Sequence, residues 1–417
     1  MSVNAYNNFS LELILKTLVC FIFYRANYEV LLPLLHLVIE TIKYMTVSFL
    51  IFMYIKNKLS PSPIMILVLL LMVTTFMATL YYDSSYLFFS IKRYVLALGL
   101  LAFIEINKDN YRSLYKPIFY SGFLMVIINF LSMLLFPEGL YIDEDNGAKC
   151  WFLGQKQSWA STFLIEIVMA FLLWSDKELK PIILLSCLLI LSSLTFSLSL
   201  GLTLVIILFC IMVFLSRIIK IHIRSYNLTM LFFLIEAALI AFAFNLKKLA
   251  FILIPLEAIS ANSTMSKADT FMSRVWIWYD SVKLIIKHPW GNGCISEKMY
   301  DKLMEYSTYH PHMHNTLLDA TLTGGFLSLL AYIVVLVLVS RRLDMTNTRE
   351  RDIYVCAMFV FCLLMLTETM LWPYAFGLFL FAYYSANNSV SNSNVRRIKV
   401  LSDVPLKSGI RIVLKHS

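Results

Sequence analysis

Residues 63–80 read PIMILVLLLMVTTFMATL and contain no charged side chain. A run of this length and apolarity is typical of a helix that crosses a lipid bilayer, which needs about 20 such residues. Over all 417 residues, 59% of the side chains are apolar, 15% are charged, and the mean hydropathy is +0.75. Soluble domains are roughly half apolar and about a quarter charged, so this composition excludes a water-soluble globular protein.

Similar apolar runs recur along the chain and predict an all-α fold, a polytopic membrane helix bundle of about 12 transmembrane helices. Their length argues against a β-barrel, whose strands show only a short alternating pattern. The runs lie at residues 11–24, 36–55, 63–80, 86–104, 117–136, 159–174, 180–197, 201–219, 229–245, 315–340, 353–369 and 371–385.

The connections divide the chain into four predicted parts. Residues 1–245 form an N-terminal membrane bundle of nine spans, and residues 246–314 form a large extracytoplasmic loop with an interfacial amphipathic helix. Residues 315–385 form three C-terminal spans, and residues 386–417 form a basic cytoplasmic tail.

Positive charge predicts the orientation. The connections that are cytoplasmic when the N-terminus is cytoplasmic carry fourteen Lys and Arg, whereas the short connections on the other side carry Arg25, Lys149 and Lys156. The positive-inside rule therefore favours cytoplasmic N- and C-termini and places both long loops outside. The fourteen are Lys56, Lys58, Lys108, Arg112, Lys116, Lys177, Lys180, Arg217, Lys220, Arg224, Arg341, Arg342, Arg349 and Arg351.

A helix is predicted inside the large loop after Ser273. We expect it to lie along the outer membrane interface, since its apolar residues recur at helical spacing and include two aromatic rings. It should end at His288-Pro289, and the glycines of 289–293 should form the turn that follows. The apolar face comprises Val275, Trp278, Tyr279, Val282, Ile285 and Ile286.

The densest polar cluster, at residues 310–315, reads His-Pro-His-Met-His-Asn where the large loop enters a membrane helix. Histidine is the side chain best suited to remove a proton near neutral pH. His314 would be anchored by the following helix, while Asn315 could orient a sugar or the ring. Two alternatives stay open. The alternate histidines could share a metal ion, although no Cys or acidic residue lies close in sequence, or the cluster could lack a role.

Two adjacent cations, Lys92 and Arg93, lie inside an apolar run, where each charge costs about 2.5 to 3.5 kcal/mol at the centre of a span. An anionic ligand in an outward-facing cavity would explain them, since Arg gives bidentate phosphate contacts and Lys a point charge. The alternative is a structural ion pair with Glu40 or Glu166. Glu40 could instead pair with Lys43 on its own helix.

Several other chemistries lack the residues to carry them. Asp143-Glu144-Asp145 spells the DxD pattern of metal-dependent nucleotide-sugar transferases, but nucleotide sugars do not reach this side of the membrane, and we expect a solvated loop. The chain has no GxSxG, HExxH or P-loop, and its seven cysteines form no CxxC, so we expect neither metal nor cofactor. We do not expect Cys150 and Cys294 to pair. The basic excess reflects orientation rather than binding of nucleic acid.

These segments together resemble the superfamily of bacterial O-antigen and capsule polymerases (Wzy) and O-antigen ligases (WaaL). One pair of segments is similar to the family's arginine-containing outer-loop helix and Pro-x-x-Gly turn, and another to its His-Asn helix entry and glycine pair. Two further segments are similar to the smaller outer loop of the polymerases. In that order, the segments are 273–278 with 288–293, 312–318 with Gly324-Gly325, and 136–141 with 151–157.

The resemblance implies a metal-independent glycosyltransferase of the bacterial inner membrane that acts outside the cytoplasm on undecaprenyl-pyrophosphate-linked oligosaccharide. It makes His314 the general base and Arg274 the residue that holds the departing pyrophosphate. Lys92 and Arg93 would assist, and Lys156, His312 and Asn315 are further candidates for binding pyrophosphate or sugar. Membrane lipids and a chain-length regulator protein are the other expected partners.

Three functions remain in competition. A repeat-unit polymerase is preferred over a ligase that delivers the glycan to lipid A-core. The reasons are the smaller outer loop's sequence and the absence, at residues 195–201, of an arginine that ligases and many polymerases carry. Either Lys92 and Arg93 or Lys156 would supply that charge. A flippase or other transporter explains the spans but not the His cluster, and only 12 glycines argue against its broken helices.

Overall fold

A computed structural model describes most of the chain. The histidines at 310 and 312 and the Asp143-Glu144-Asp145 pattern fall outside the residues that it describes. The described residues are 3–24, 26, 33–142, 148–156, 158–197, 199–218, 223–257, 265–294, 313–346, 348, 350–369 and 373–386.

Helices dominate the described residues. Two short 3-10 helices lie at Ser84–Tyr86 and Lys108–Leu114. The α-helices are α1 (Val3–Phe21), α2 (Pro33–Lys56), α3 (Pro63–Tyr82), α4 (Leu87–Ile106), α5 (Tyr115–Leu135), α6 (Ala160–Leu173), α7 (Lys180–Ser197), α8 (Leu200–Ile218), α9 (Ser225–Glu257), α10 (Met265–Lys287), α11 (Thr316–Asp344), α12 (Arg351–Met365) and α13 (373–386).

The predicted all-α polytopic fold is confirmed. Each of the twelve apolar runs overlaps one helix, and among the described residues seven helices are long and apolar enough to cross a membrane. Two shorter apolar stretches are also helical, Ala160–Leu173 of α6 and Gly201–Arg217 of α8. The outer helices expose large apolar side chains, among them Leu37 at 73% and Met45 at 68% on α2 and Leu188 at 61% on α7. Such surfaces suit contact with lipid rather than water.

Two helices reach into the predicted outer loop. Helix α9 continues to Glu257, beyond the boundary predicted at residue 245, and α10 fills residues 265–287. Helix α10 ends at Lys287, immediately before His288-Pro289, as the sequence predicts. The helical rise of 1.5 Å per residue makes the 33-residue α9 about 50 Å long, so it is longer than a bilayer span requires.

Helix α10 packs against α9 and α11 in the described structure. Val275, Trp278 and Ile285 of its predicted apolar face are buried in a small core with residues of α9 and α11. Ile277 is buried as well, and Ile286 is 69% exposed. The buried face of α10 therefore includes Ile277 beside the predicted residues, because α9 and α11 pack against it.

Helix α11 lies at the centre of the half of the bundle that carries the site. It packs against α3, α9, α10 and α12. Its regular helix is interrupted at Gly325, where φ is 77° and ψ is −175°. This backbone conformation strongly favours glycine, because an L side chain would clash with its own backbone.

The smaller predicted loop contains a three-stranded antiparallel sheet, β1 (Tyr141–Ile142), β2 (Lys149–Trp151) and β3 (Gly154–Gln155). Tyr141 is opposite Cys150, and Trp151 is opposite Gly154. The loop is anchored on α5, since the Asn129 side chain accepts a hydrogen bond from the backbone N–H of Leu153 at 2.9 Å. Cys150 and Cys294 are both buried, and no disulfide joins them.

Candidate active site

Arg274 and His314 meet at one carboxylate. The Nη2 of Arg274, on α10, donates to Oε1 of Glu368 at 2.9 Å, and Nδ1 of His314 lies 3.5 Å from Oε2 of the same residue. Glu368 follows the end of α12, so three separate parts of the chain contribute. The three side chains are 16–22% exposed, which leaves them accessible at the edge of the protein.

His314 has an unusual backbone. Its φ is 49°, in the left-handed region that non-glycine residues rarely occupy and that costs about 1–2 kcal/mol. Met313, the residue before it, is fixed by hydrogen bonds at both its carbonyl and its N–H. The indole N–H of Trp278 donates to the Met313 carbonyl at 3.1 Å, and the Met313 N–H donates to Asp319 at 3.4 Å. Strained backbone of this kind is concentrated at functional sites, where the surrounding structure holds it in place.

Asn315 begins α11. Its side-chain oxygen accepts from the N–H of Leu318 at 2.9 Å, which is an N-cap interaction. Its Nδ2 donates to both carboxylate oxygens of Glu236 on α9, at 2.8 and 3.0 Å. The amide of Asn315 is thus engaged by the protein itself, and it fixes the chain immediately after His314.

Arg93 points to the same part of α11. It forms an ion pair with Asp319, whose side chain is 2% exposed, and Asp319 also accepts from Met313 N–H. The structural partner considered from the sequence was Glu40 or Glu166, and neither pairs with Arg93. Glu40 pairs with Lys43 at 3.0 Å, as the sequence also suggested, and Glu166 accepts from Ser186 at 2.8 Å.

The remaining candidate residues are not joined to this group by any described contact. Lys92 is exposed on α4, one residue before Arg93. Lys156 is half-buried in the turn after β3. His312 lies outside the described residues. The site that the structure assembles therefore contains Arg274, His314, Asn315 and Arg93.

The turn after α10 and the glycine pair of α11 contact each other. The N–H groups of Asn292 and Gly293 donate to the carbonyls of Leu322 and Thr323 at 2.7 and 2.9 Å, and the N–H of Phe326 donates to the Pro289 carbonyl at 2.9 Å. A Cβ on Gly293, whose φ is 71°, would lie 2.3 Å from the Thr79 backbone. We call the hydrogen-bonded contact between residues 289–293 and 322–326 the glycine clasp. It joins the segment after Arg274 to the helix after His314.

Cys294 follows the clasp. Its N–H donates to Oγ1 of Thr79 at 2.8 Å. Burial raises the pKa of the Cys294 thiol above its usual range, and this effect is larger than the opposing effect of Arg93. The thiol is therefore protonated near neutral pH and is a poor nucleophile.

Three acidic residues of the site were missed by the sequence reasoning: Glu368, Asp319 and Glu236. Each lies within or at the end of an apolar run, where a charge is costly. That signal was used for Lys92 and Arg93 and could have selected these acids as well. What it could not supply was the pairing, because Glu368 is 94 residues from Arg274.

No group of three His, Cys, Asp or Glu side chains with the spacing of a metal site occurs among the residues described. Chemically, the assembly offers an imidazole beside a carboxylate and a guanidinium that uses one nitrogen on Glu368. An imidazole can accept a proton, and the other guanidinium N–H groups can bind an anion.

The fold and site define a polytopic, all-α membrane protein with a polar site at one end of its bundle. Residues 150–333 match the family model Wzy_C, described as O-antigen ligase. The match spans Arg274, His314 and the glycine clasp, and it supports the resemblance to the polymerase and ligase superfamily, whose members are membrane glycosyltransferase-like enzymes. It does not distinguish a polymerase from a ligase. No curated protein matches the chain.

Proposed function

We propose that this protein is a polysaccharide repeat-unit polymerase that transfers a growing glycan from undecaprenyl pyrophosphate to a lipid-linked repeat unit. The observation that supports the proposal is that His314 and Arg274 both lie beside Glu368. His314 and Arg274 are far apart in sequence, and both are within the family match. The reaction takes place on the outer side of the inner membrane, with both termini cytoplasmic.

The chemistry needs one base and one anion-binding group. The acceptor hydroxyl gives its proton to His314 while its oxygen forms a bond to the anomeric carbon of the donor. The anomeric C–O bond to the pyrophosphate breaks, and the electron pair leaves with the pyrophosphate. Arg274 stabilises the charge that develops there, which is the kind of interaction that accelerates a reaction most. Because the donor bond is already activated, the reaction needs no ATP.

The other predicted residues have secondary places in this proposal. Lys92, exposed near Arg93, contacts the pyrophosphate or the membrane-proximal sugar, and Lys156 and His312 do the same from the two outer loops. Arg93 is committed to Asp319 and acts mainly by holding the segment around Met313. A chain-length regulator binds the same protein from outside.

An O-antigen ligase is the second candidate, and the description of the matching family favours it. It uses the same donor and the same base but delivers the glycan to a lipid A-core sugar. We prefer the polymerase because the smaller outer loop is similar to that of polymerases and residues 195–201 lack arginine.

Gel profiles of surface polysaccharide from a deletion strain separate the two candidates. Loss of a polymerase leaves cores capped by a single repeat. Loss of a ligase leaves naked cores, with polymer still attached to the lipid carrier. Purified protein incubated with synthetic lipid-linked repeat units then tests the reaction directly, and the absence of longer products would reject the polymerase.

The role of His314 needs a variant that respects its backbone. His314→Ala removes the imidazole but places alanine at a φ of 49°, so loss of activity could reflect strain. His314→Asn and His314→Gly tolerate this φ. We expect all three to abolish chain growth, a loss of about 10²–10⁴-fold, while the Asn and Gly variants insert and accumulate normally. Near-normal polymer from His314→Asn would reject the base assignment.

A further inference from the structure

Glu368 is shared by the two proposed catalytic side chains. Its Oε1 accepts from Arg274 at 2.9 Å, and its Oε2 lies 3.5 Å from Nδ1 of His314. The family match ends at residue 333 and does not include it. The resemblance therefore assigns no role to Glu368, although its carboxylate lies beside both Arg274 and His314.

The backbone of Glu368 is fixed. Its N–H donates to the carbonyl of Leu364 at 2.9 Å, and its carbonyl accepts from Oγ1 of Thr316 at 2.9 Å. Thr316 is the first residue of α11 and follows His314 by two positions. The backbone of Glu368 is thus attached both to the end of α12 and to the start of α11, beside the segment that holds the imidazole.

Two other carboxylates of the site are engaged by different partners. Asp319 pairs with Arg93 and accepts from Met313 N–H, and Glu236 accepts from Asn315. Of these three carboxylates, Glu368 is the one that lies beside the ring of His314. A 3.5 Å separation is long for a hydrogen bond, but contacts in catalytic sites without substrate commonly tighten when the substrate binds.

A carboxylate beside Nδ1 selects one tautomer of a neutral imidazole. With the proton on Nδ1, the ring donates to Oε2 and keeps a lone pair on Nε2. With the proton on Nε2, a lone pair on Nδ1 faces a negatively charged oxygen, which is unfavourable. The hydrogen bond made by one ring nitrogen therefore decides which nitrogen can act as a base.

We propose that Glu368 is a positioning residue that holds His314 as the Nδ1–H tautomer, so that Nε2 accepts the proton of the acceptor hydroxyl, and that its second oxygen keeps Arg274 beside the same reaction. This inference rests on the proposed glycosyl transfer. After the transfer of the proton, both ring nitrogens carry hydrogen, and Nδ1–H still faces the carboxylate. Glu368 contacts neither sugar nor pyrophosphate.

Glu368→Gln tests this role sharply. Arg274 can only donate, so it takes the carbonyl oxygen of the new amide and leaves the NH₂ group facing His314. That group is a donor, and it favours a lone pair on Nδ1 and hydrogen on Nε2, which is the wrong tautomer for the base. Glu350→Gln is the matched control, since Glu350 accepts from Tyr111 and Arg112 at the other end of the bundle.

The experiment uses the full-length protein labelled with ¹⁵N-histidine, with the His314 signals assigned by their loss in His314→Asn. Ring ¹⁵N chemical shifts are recorded at about pH 9, where an ordinary histidine is neutral. We expect the Nδ1–H pattern in the wild type and in Glu350→Gln, and the Nε2–H pattern in Glu368→Gln. We also expect Glu368→Gln to lower kcat by about 10²-fold or more, with KM for the lipid-linked acceptor changed less than about threefold.

Each outcome decides between explanations. An Nε2–H pattern in the wild type, or Nδ1–H with normal kcat in Glu368→Gln, overturns the positioning role. If Glu368→Gln does not fold, Glu368→Asp, which keeps the carboxylate, is measured in its place. The wild-type spectrum by itself still tests the proposal, because absence of the Nδ1–H pattern there refutes it. Normal polymer from His314→Asn, with the Nδ1–H pattern present in the wild type, rejects the proposed function while the tautomer assignment stands.

Discussion

Two clusters of arginine and carboxylate lie at the two ends of α11, and they use their charges differently. At the C-terminal end, the Arg351 guanidinium donates to Asp344, Asp352 and the carbonyls of Leu343 and Ile223, and its side chain is 2% exposed. At the N-terminal end, Arg274 is 19% exposed and donates through one nitrogen to Glu368. We call these the Arg351 cluster and the Arg274 cluster.

The comparison shows what separates a structural arginine from a candidate ligand-binding arginine. The Arg351 cluster also holds a helix start, since Asp344 accepts from the N–H groups of Ser225 and Tyr226 at 2.6 and 2.9 Å. Its donors are used by the protein and stabilise the joint of α9, α11 and α12. The Arg274 cluster keeps N–H groups for an anion. The use of the donors, rather than the presence of arginine, distinguishes the two ends.

The largest expected effect is on the reaction. In the proposed reaction Arg274 faces the departing pyrophosphate, so we expect Arg274→Gln to lower the rate of polymer formation by about 10²–10³-fold. The measurement is initial rate with purified protein and synthetic lipid-linked repeat units. Arg341→Gln, at the other end of α11, is the matched control and should leave the rate unchanged. Equal losses in the two variants would remove the distinction between the two ends.

The reverse effect is expected for stability. Arg351→Ala removes the guanidinium that donates to Asp344, Asp352 and two carbonyl oxygens, and we expect the free energy of unfolding to fall by about 3 kcal/mol. Arg274→Ala should cost no more than about 1 kcal/mol, because its ion pair is partly solvated. Thermal unfolding of the purified protein in detergent measures both. A larger loss for Arg274→Ala than for Arg351→Ala would contradict the comparison.

A smaller effect is expected at the residue that begins α11. Asn315→Ala removes the N-cap and the donor to Glu236, and we expect a loss of about 1–2 kcal/mol in stability. Asn315→Ser keeps a capping oxygen and should lose less. Unfolding curves of the wild type and the two variants test this order. Variants as stable as the wild type would show that neither the cap nor the Glu236 contact contributes.

The smallest effect is expected beside the glycine clasp. The hydroxyl of Tyr82 lies 2.8 Å from Nδ1 of His288, and Tyr82→Phe deletes only this hydrogen bond. We expect a loss of about 1 kcal/mol or less and an unchanged rate of polymer formation. A strong loss of activity in Tyr82→Phe would mean that the clasp takes part in the reaction and does not only hold the two motifs together.

The helices were predictable because each carries its own signal. A long apolar run predicts a helix wherever it lies in the sequence, and Pro289 marks the end of α10 without reference to any partner. The burial of Ile277 on α10 was not predictable in the same way, since it depends on where α9 and α11 lie.

The candidate site was predictable only in part. His314 and Arg274 follow from the loop pattern and the family resemblance, and each is close to a recognisable helix boundary. The partners of these residues did not follow, because an ion pair between Arg93 and Asp319 joins positions 226 residues apart and leaves no local periodicity. Sequence reasoning assigned Arg93 to the ligand, whereas its observed partner is a carboxylate of the protein.

By itself, the sequence determined that this chain is an all-α membrane protein, where its apolar helices lie, and which loop carries an imidazole and an arginine. These properties depend on composition and on short-range spacing, which one chain segment specifies alone. The tertiary structure decided which carboxylate each cation meets and that Glu368 joins Arg274 to His314. Such pairing depends on how distant helices pack, because opposite charges in a medium of low polarity are stable only when the fold brings them into contact.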